Sequence, residues 1–108
     1  MLSGRFPEAV EAFRGAILHN YVHEKVYNNL GFALANVGRF TEALEAFTQA
    51  VGKPLAYNNL GSVHLQAGRY DEAIRCFETA IELDPRHNAL VWKNLQTARM
   101  QKEQTQGE

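Results

Sequence analysis

Three short runs, "GRF" at Gly4, "GRF" at Gly38 and "GRY" at Gly68, punctuate the chain, and each is followed by the same series of residues at the same offsets. Behind each run comes Glu-Ala (Glu8-Ala9, Glu42-Ala43, Glu72-Ala73). An aromatic stands four residues after the Ala (Phe13, Phe47, Phe77), and a second Ala three further on (Ala16, Ala50, Ala80). A fixed period of this length is the mark of a stacked array, in which each unit buries its apolar face against its neighbours and not within itself. It excludes most other folds before any single residue is interpreted.

The period is not constant. Gly4 to Gly38 is 34 residues and Gly38 to Gly68 is 30. Tyr27 to Gly38 and Tyr57 to Gly68 are both 11 residues, so the first half of each unit is intact. Ala16 to Tyr27 is also 11, whereas Ala50 to Tyr57 is 7, which places the shortening in the turn "VGKPL" after Ala50. Losing four residues removes about one helical turn. Pro54 is therefore expected to begin the next helix directly after Gly52-Lys53, changing the local angle between units.

Each unit reads as two helices. Tyr57, Leu60, Gly61, His64 and Leu65 fall at i, i+3, i+4, i+7 and i+8, the stripe of a half-buried helix, and Ala73, Ile74, Phe77, Ala80 and Ile81, at i, i+1, i+4, i+7 and i+8, form a second such stripe. Gly38 and Gly68 are placed to stop the first helices, and Thr41 and Asp71 to cap the second ones, with Pro7 in the first turn of the earliest. Gly31 and Gly61 lie mid-helix, where glycine costs about 1 kcal/mol relative to Ala. The expected offset is close approach of the partner helix, with Ala43 and Ala73 opposite.

This pattern, aromatic-x-x-Leu-Gly, Gly-x-aromatic, Ala-x3-aromatic-x2-Ala and a closing Pro, resembles the tetratricopeptide repeat. Residues 54–87, ending in "AIELDPRH", carry it almost fully, with Tyr57 in the usual Trp slot and His64 in the usual Tyr slot. Residues 24–53 carry it with the short turn, and residues 1–23 carry only the second helix of a repeat. The resemblance implies an all-α, right-handed solenoid of antiparallel helix pairs forming one domain of about two and a half repeats. Residues 88–108 continue the register with Val91 in the aromatic slot and Leu95 in the Gly slot. They are expected to form a capping helix whose tail "QKEQTQGE" frays into solvent.

In this family the first helices line a concave groove that typically takes peptides, and its slots map here onto Lys25, Asn28, Asn29, Phe32, Ala35 and Asn36 in one unit. In the next they map onto Leu55, Asn58, Asn59, Ser62, Leu65 and Gln66, and in the capping helix onto Ala89, Trp92, Lys93, Gln96 and Met100. Asn29, Asn59 and Lys93 share one slot. An amide offers a donor and an acceptor together, so a column of Asn can pair with the backbone of an extended peptide without reading its side chains. The family's carboxylate clamp wants a basic residue where Asn28 stands, and the rest of its pattern is absent. Phe32 is the leading apolar contact for a ligand. Trp92 is expected to cover the end of the stack.

Chemistry finds little support. Cys76 is the single cysteine, so no intrachain disulfide is available, and it lies near no sequence-local base. His19 and His23 straddle an expected turn with no third ligand nearby. His64 reads as a core imidazole with its polar atoms satisfied. No cofactor or metal is implied. Hydrophobic residues make up 45% and the formal charge is −1, which favours a folded chain and gives no electrostatic reason to expect nucleic acid. No run approaches the roughly 18 apolar residues of a membrane span, and no targeting segment is visible, so a soluble, cytoplasmic chain is the default.

The function these residues support is a non-catalytic scaffold that binds an extended segment of a protein partner through Asn29, Asn59 and Phe32, with Asn28, Asn58 and Lys93 assisting. A second reading is a homo-oligomer, built through the amphipathic edge Phe6, Val10, Phe13 and Ile17, which lacks a partner first helix. A third is the regulatory arm of a larger enzyme.

Overall fold

The computed structural model describes residues 24–86 and 89–106, and among them it contains five helices and no strand. They are α1 (Glu24–Asn36), α2 (Phe40–Val51), α3 (Lys53–Gln66), α4 (Tyr70–Leu83) and α5 (Ala89–Gln106). Each packs on the next in chain order, and α3 also touches both α1 and α5. The first helices of successive units therefore lie side by side, as an all-α helical repeat requires. The residues of the edge Phe6, Val10, Phe13 and Ile17, and the pair His19 and His23, fall outside the described residues.

Both first helices end in the same way. Gly38 and Gly68 adopt φ of 84° and 79°, a left-handed conformation that costs a glycine nothing. In the first turn Gly38 N–H donates to Ala35 O and Arg39 N–H to Leu34 O; in the second, Gly68 N–H donates to Leu65 O and Arg69 N–H to His64 O. These paired bonds satisfy carbonyls that the helix end leaves open.

The expected caps are corrected here. Arg39 and Arg69 are the N-cap residues, neither with a side-chain cap bond, and Thr41 and Asp71 sit one residue inside their helices. The turn leaves no space for a cap further along, because the carbonyls of Arg39 and Arg69 already accept from Ala43 and Ala73. Asp71 instead pairs with Lys102 of α5, which holds its carboxyl below the usual carboxylate range. That pair and Arg99 to Glu78 at 3.0 Å tie α5 to α4, and α5 is helical through Gln106, where the sequence led us to expect fraying.

The turn is short, and α3 begins at Lys53, one residue before the expected start at Pro54. A single residue, Gly52, separates α2 from α3, and Pro54 stands in the first turn of α3, where its missing N–H costs no hydrogen bond.

The core divides into two clusters. One joins Leu30, Ala33 and Leu34 of α1, Ala43, Ala46 and Phe47 of α2, and Ala56, Leu60 and Val63 of α3. The other joins Ala73, Phe77 and Ala80 of α4 with Val91, Leu95 and Ala98 of α5, and Tyr57 and Leu65 of α3 pack against it. Thus α3 contributes to both. A Cβ built on Gly31 would lie 2.4 Å from Phe47 Cδ1, and one on Gly61 would lie 2.6 Å from Phe77 Cε1. The close approach is as expected, but the neighbour is the phenyl ring of the following helix and not Ala43 or Ala73. Hydrogen is the side chain because the ring takes the volume that a methyl would need.

Candidate functional site

Helical geometry divides the first helices into a side that meets other helices and a side that meets solvent. On α1, Lys25, Asn29, Phe32 and Asn36 are exposed, at i, i+4, i+7 and i+11. The equivalent positions of α3 are Leu55, Asn59, Ser62 and Gln66, all exposed or half-buried. Two matching stripes therefore run along neighbouring helices on one face. Phe32 is 36% and Leu55 38% exposed. The Phe32 ring is held edge-to-face on buried Phe47, centroids 4.8 Å apart, so its position is fixed while its outer edge stays open.

One residue before the Asn29 and Asn59 positions the environment changes. Asn58 is 6% exposed, and its Oδ1 accepts from Asn94 Nδ2 of α5 at 2.9 Å. Asn28 Oδ1 accepts from Asn59 Nδ2, also at 2.9 Å. The dipeptide Asn58-Asn59 thus ties α3 to α1 with one amide and to α5 with the other. Asn58, expected to help at the open face, is a buried connector. A rotation of about 100° per residue separates it from Asn59.

The Asn59 to Asn28 bond fixes the polarity of what remains. Asn59 keeps its carbonyl oxygen and Asn28 keeps its amino group, an acceptor beside a donor. Asn29 makes no hydrogen bond within the described residues and offers both. Ser62 Oγ donates to Asn58 O (3.1 Å) and Asn36 Nδ2 to Phe32 O (2.7 Å), so these two side chains are partly engaged by their own helices.

On α5 the buried positions are Val91, Leu95 and Ala98. These are the positions that the repeat pattern gives, and Asn94, which stands where Leu60 does in α3, turns toward α3 while Lys93 faces solvent. Asn94 is not one of the groove slots expected of this helix; its sequence signal is an amide at the position that Leu30 and Leu60 fill in the other first helices. Lys93 is exposed and outside any ion pair among the described residues. Trp92 is 48% exposed and does not belong to the core that closes the stack.

The groups considered for chemistry are in structural positions. His64 is buried, and its Nδ1 accepts from Arg69 Nε at 3.0 Å. Its ring lies 4.8 Å from that of Phe40, over which the Arg69 guanidinium also sits. Burial first, then the Arg69 charge, lowers its pKa. Burial pushes the Cys76 thiol up to about 11, far from a nucleophile's range. The described residues hold no group of three or more His, Cys, Asp or Glu able to bind a metal ion. No helix among them is long and apolar enough to cross a membrane.

An open apolar pocket of about 680 Å³ lies between α1 and α2, lined by Tyr27, Leu30, Leu34, Leu44 and Thr48 among others. Those α1 residues are on the opposite side of the helix from the Lys25 to Asn36 stripe.

Two tetratricopeptide repeat models match the sequence, one over residues 3–58 and the other over residues 54–87. The chain belongs to the tetratricopeptide repeat family. Repeats of this family mediate protein–protein interaction, and the stripes of α1 and α3 are the surfaces their first helices leave open. Among curated proteins, the Hsp70-Hsp90 organising protein of Plasmodium falciparum is 40% identical to this tetratricopeptide repeat chain over 48 residues. The match takes in 44% of this chain and spans only 19% of that protein's length.

Proposed function

We propose that the chain is a binding module, without catalysis of its own, that holds an extended segment of a partner protein across the face of α1, α3 and α5. The observation that carries this reading is the pair of equivalent open stripes, which present amides and apolar edges where a merely solvated face would present charges. Asn29, Asn59 and the amino group of Asn28 have unused hydrogen-bonding capacity suited to a peptide backbone. Phe32 and Leu55 supply apolar contact, and Phe32 is already ordered by its packing on Phe47, which lowers the entropic cost of binding.

The relative's name couples it to Hsp70 and Hsp90, and a chaperone is the narrower partner that this likeness suggests. Asn28 argues against capture of a chaperone through its terminal carboxylate, since a neutral amide stands where the family's clamp has a cation. A linear-peptide display library panned on the protein tests the broader reading. Selected peptides should lose affinity about two- to tenfold with Asn29→Ala or Asn59→Ala, the span of one net hydrogen bond, and more with Phe32→Ala. Binders indifferent to all three changes would refute the proposal.

A further inference from the structure

The charges of the described helices are segregated. The second helices, α2 and α4, carry Glu42, Glu45, Asp71, Glu72, Glu78 and Glu82 against Arg75, and with Glu42, Asp71 and Glu78 paired to Arg39, Lys102 and Arg99 they remain net acidic through Glu45, Glu72 and Glu82. The open stripes of α1 and α3 contain no carboxylate and one cation, Lys25. On α5 the cations Arg99 and Lys102 are held by Glu78 and Asp71 of α4, which leaves Lys93, beside Asn94, turned to solvent. Lys25 and Lys93 make no ion pair within the described residues, so their charge is available to a ligand. Beside them stand the apolar side chains Phe32, Leu55 and Leu90, from 36% to 59% exposed.

We infer that this face selects extended segments in which acidic side chains flank apolar ones. The inference rests on the reading of the face as peptide-binding. Complementary charge would draw such a segment to this face, and the acidic second helices would repel it from the other side. The spacing of the two lysines sets a register. They stand on helices that flank α3 on either side, two interaxial steps of roughly 8–10 Å apart. An extended chain advances about 3.3 Å per residue, so the two carboxylates it offers should be separated by about five or six residues. Two acids spaced along a segment match this separation better than one terminal carboxylate does. The recognised acids are therefore side chains within a segment, and the chain end is not required.

The test uses fluorescein-labelled synthetic peptides, blocked at both ends, read by fluorescence anisotropy at low and high salt. One carries two Glu separated by about five residues with Leu between them. Others carry Lys in place of Glu, adjacent Glu residues, or a free C-terminal carboxylate. The spaced Glu peptide should bind tightest, weaken with salt, and lose about fivefold in affinity with either Lys25→Glu or Lys93→Glu. Equal binding of the Lys peptide, indifference to both charge reversals, or dependence on the free carboxylate would overturn the inference. Binding that ignores charge but is lost with Phe32→Ala and Asn59→Ala removes the acidic selectivity alone. Binding unaffected by those two changes removes the peptide-binding reading as well.

Discussion

Gly61→Ala should destabilise this protein, although alanine is the better helix former. The exchange gains about 1 kcal/mol of intrinsic helix propensity. Its new Cβ would stand 2.6 Å from Phe77 Cε1 and 2.9 Å from Cδ1, where carbon atoms are content at about 3.5–4 Å. The ring must therefore retreat by about 1 Å. Phe77 is fully buried, in a core with Ala73, Val91 and Leu95, so it has no free volume to enter. Overpacking of this kind costs about 1–3 kcal/mol, and the severity of the contact places it near the upper end. The net loss is about 2 kcal/mol. Phe77→Leu removes Cε1 and Cζ, two of the three ring atoms nearest the new methyl. In that background Gly61→Ala should become neutral or stabilising by up to about 1 kcal/mol. Urea denaturation followed by far-ultraviolet circular dichroism, with m-values compared, reads all four proteins. A stabilised Gly61→Ala single variant, or the same loss in both backgrounds, would refute the steric account.

Asn94→Ala leaves the amide oxygen of Asn58 buried without its donor, and should cost about 1–3 kcal/mol; Asn29→Ala, at an exposed side chain, should change stability by no more than about 0.5 kcal/mol, and denaturant midpoints separate the two. His64 has a lowered pKa in the folded state, so the unfolded chain binds the extra proton first as pH falls. Its contribution is complete above the ordinary value near 6.5 and is lost as pH falls below it. Protonation removes the acceptor of Arg69 and adds a cation beside Arg69 and Arg75, with Glu72 as partial compensation and Phe40 on the ring face. Melting temperature should drop more steeply below about pH 6.5 than in His64→Phe, where a matching slope would exclude His64 as the cause. Cys76 should react with a maleimide far more slowly in the folded protein than in urea at neutral pH, and equal rates would contradict its burial.

The repeat geometry was legible because its punctuation is local. Glycine at Gly38 and Gly68 serves a backbone conformation that other residues resist, and the i, i+3, i+4 stripe of Tyr57 to Leu65 announces a helix regardless of its neighbours. The short turn could be located by subtraction, and His64 could be read as core because it occupies a packing slot. What lay beyond the sequence depends on how helices are rotated against one another. Asn58 and Asn59 are identical neighbours, yet one is a buried tie and the other remains partly open; a helix crossing decides between them, and no local pattern records it. Lys93 and Asn94 are likewise neighbours of which one meets solvent and the other an interface, but there the repeat does record the difference, since Asn94 stands where buried Leu60 does. Asp71 failed as a cap for a related reason, since the length of the turn before it and the reach of Lys102 from α5 settle its role. The ring of Phe77 against Gly61 was half visible: the need for a small residue could be seen, the identity of the intruder could not.

The most direct test of the peptide-binding face is a map of backbone amide chemical shifts in the isotopically labelled protein as a selected peptide is added. The account predicts that the largest changes fall on Asn29, Phe32, Asn59, Ser62 and Lys93, along α1, α3 and the start of α5. Changes concentrated on α2 and α4, around Glu45 and Arg75, would contradict it.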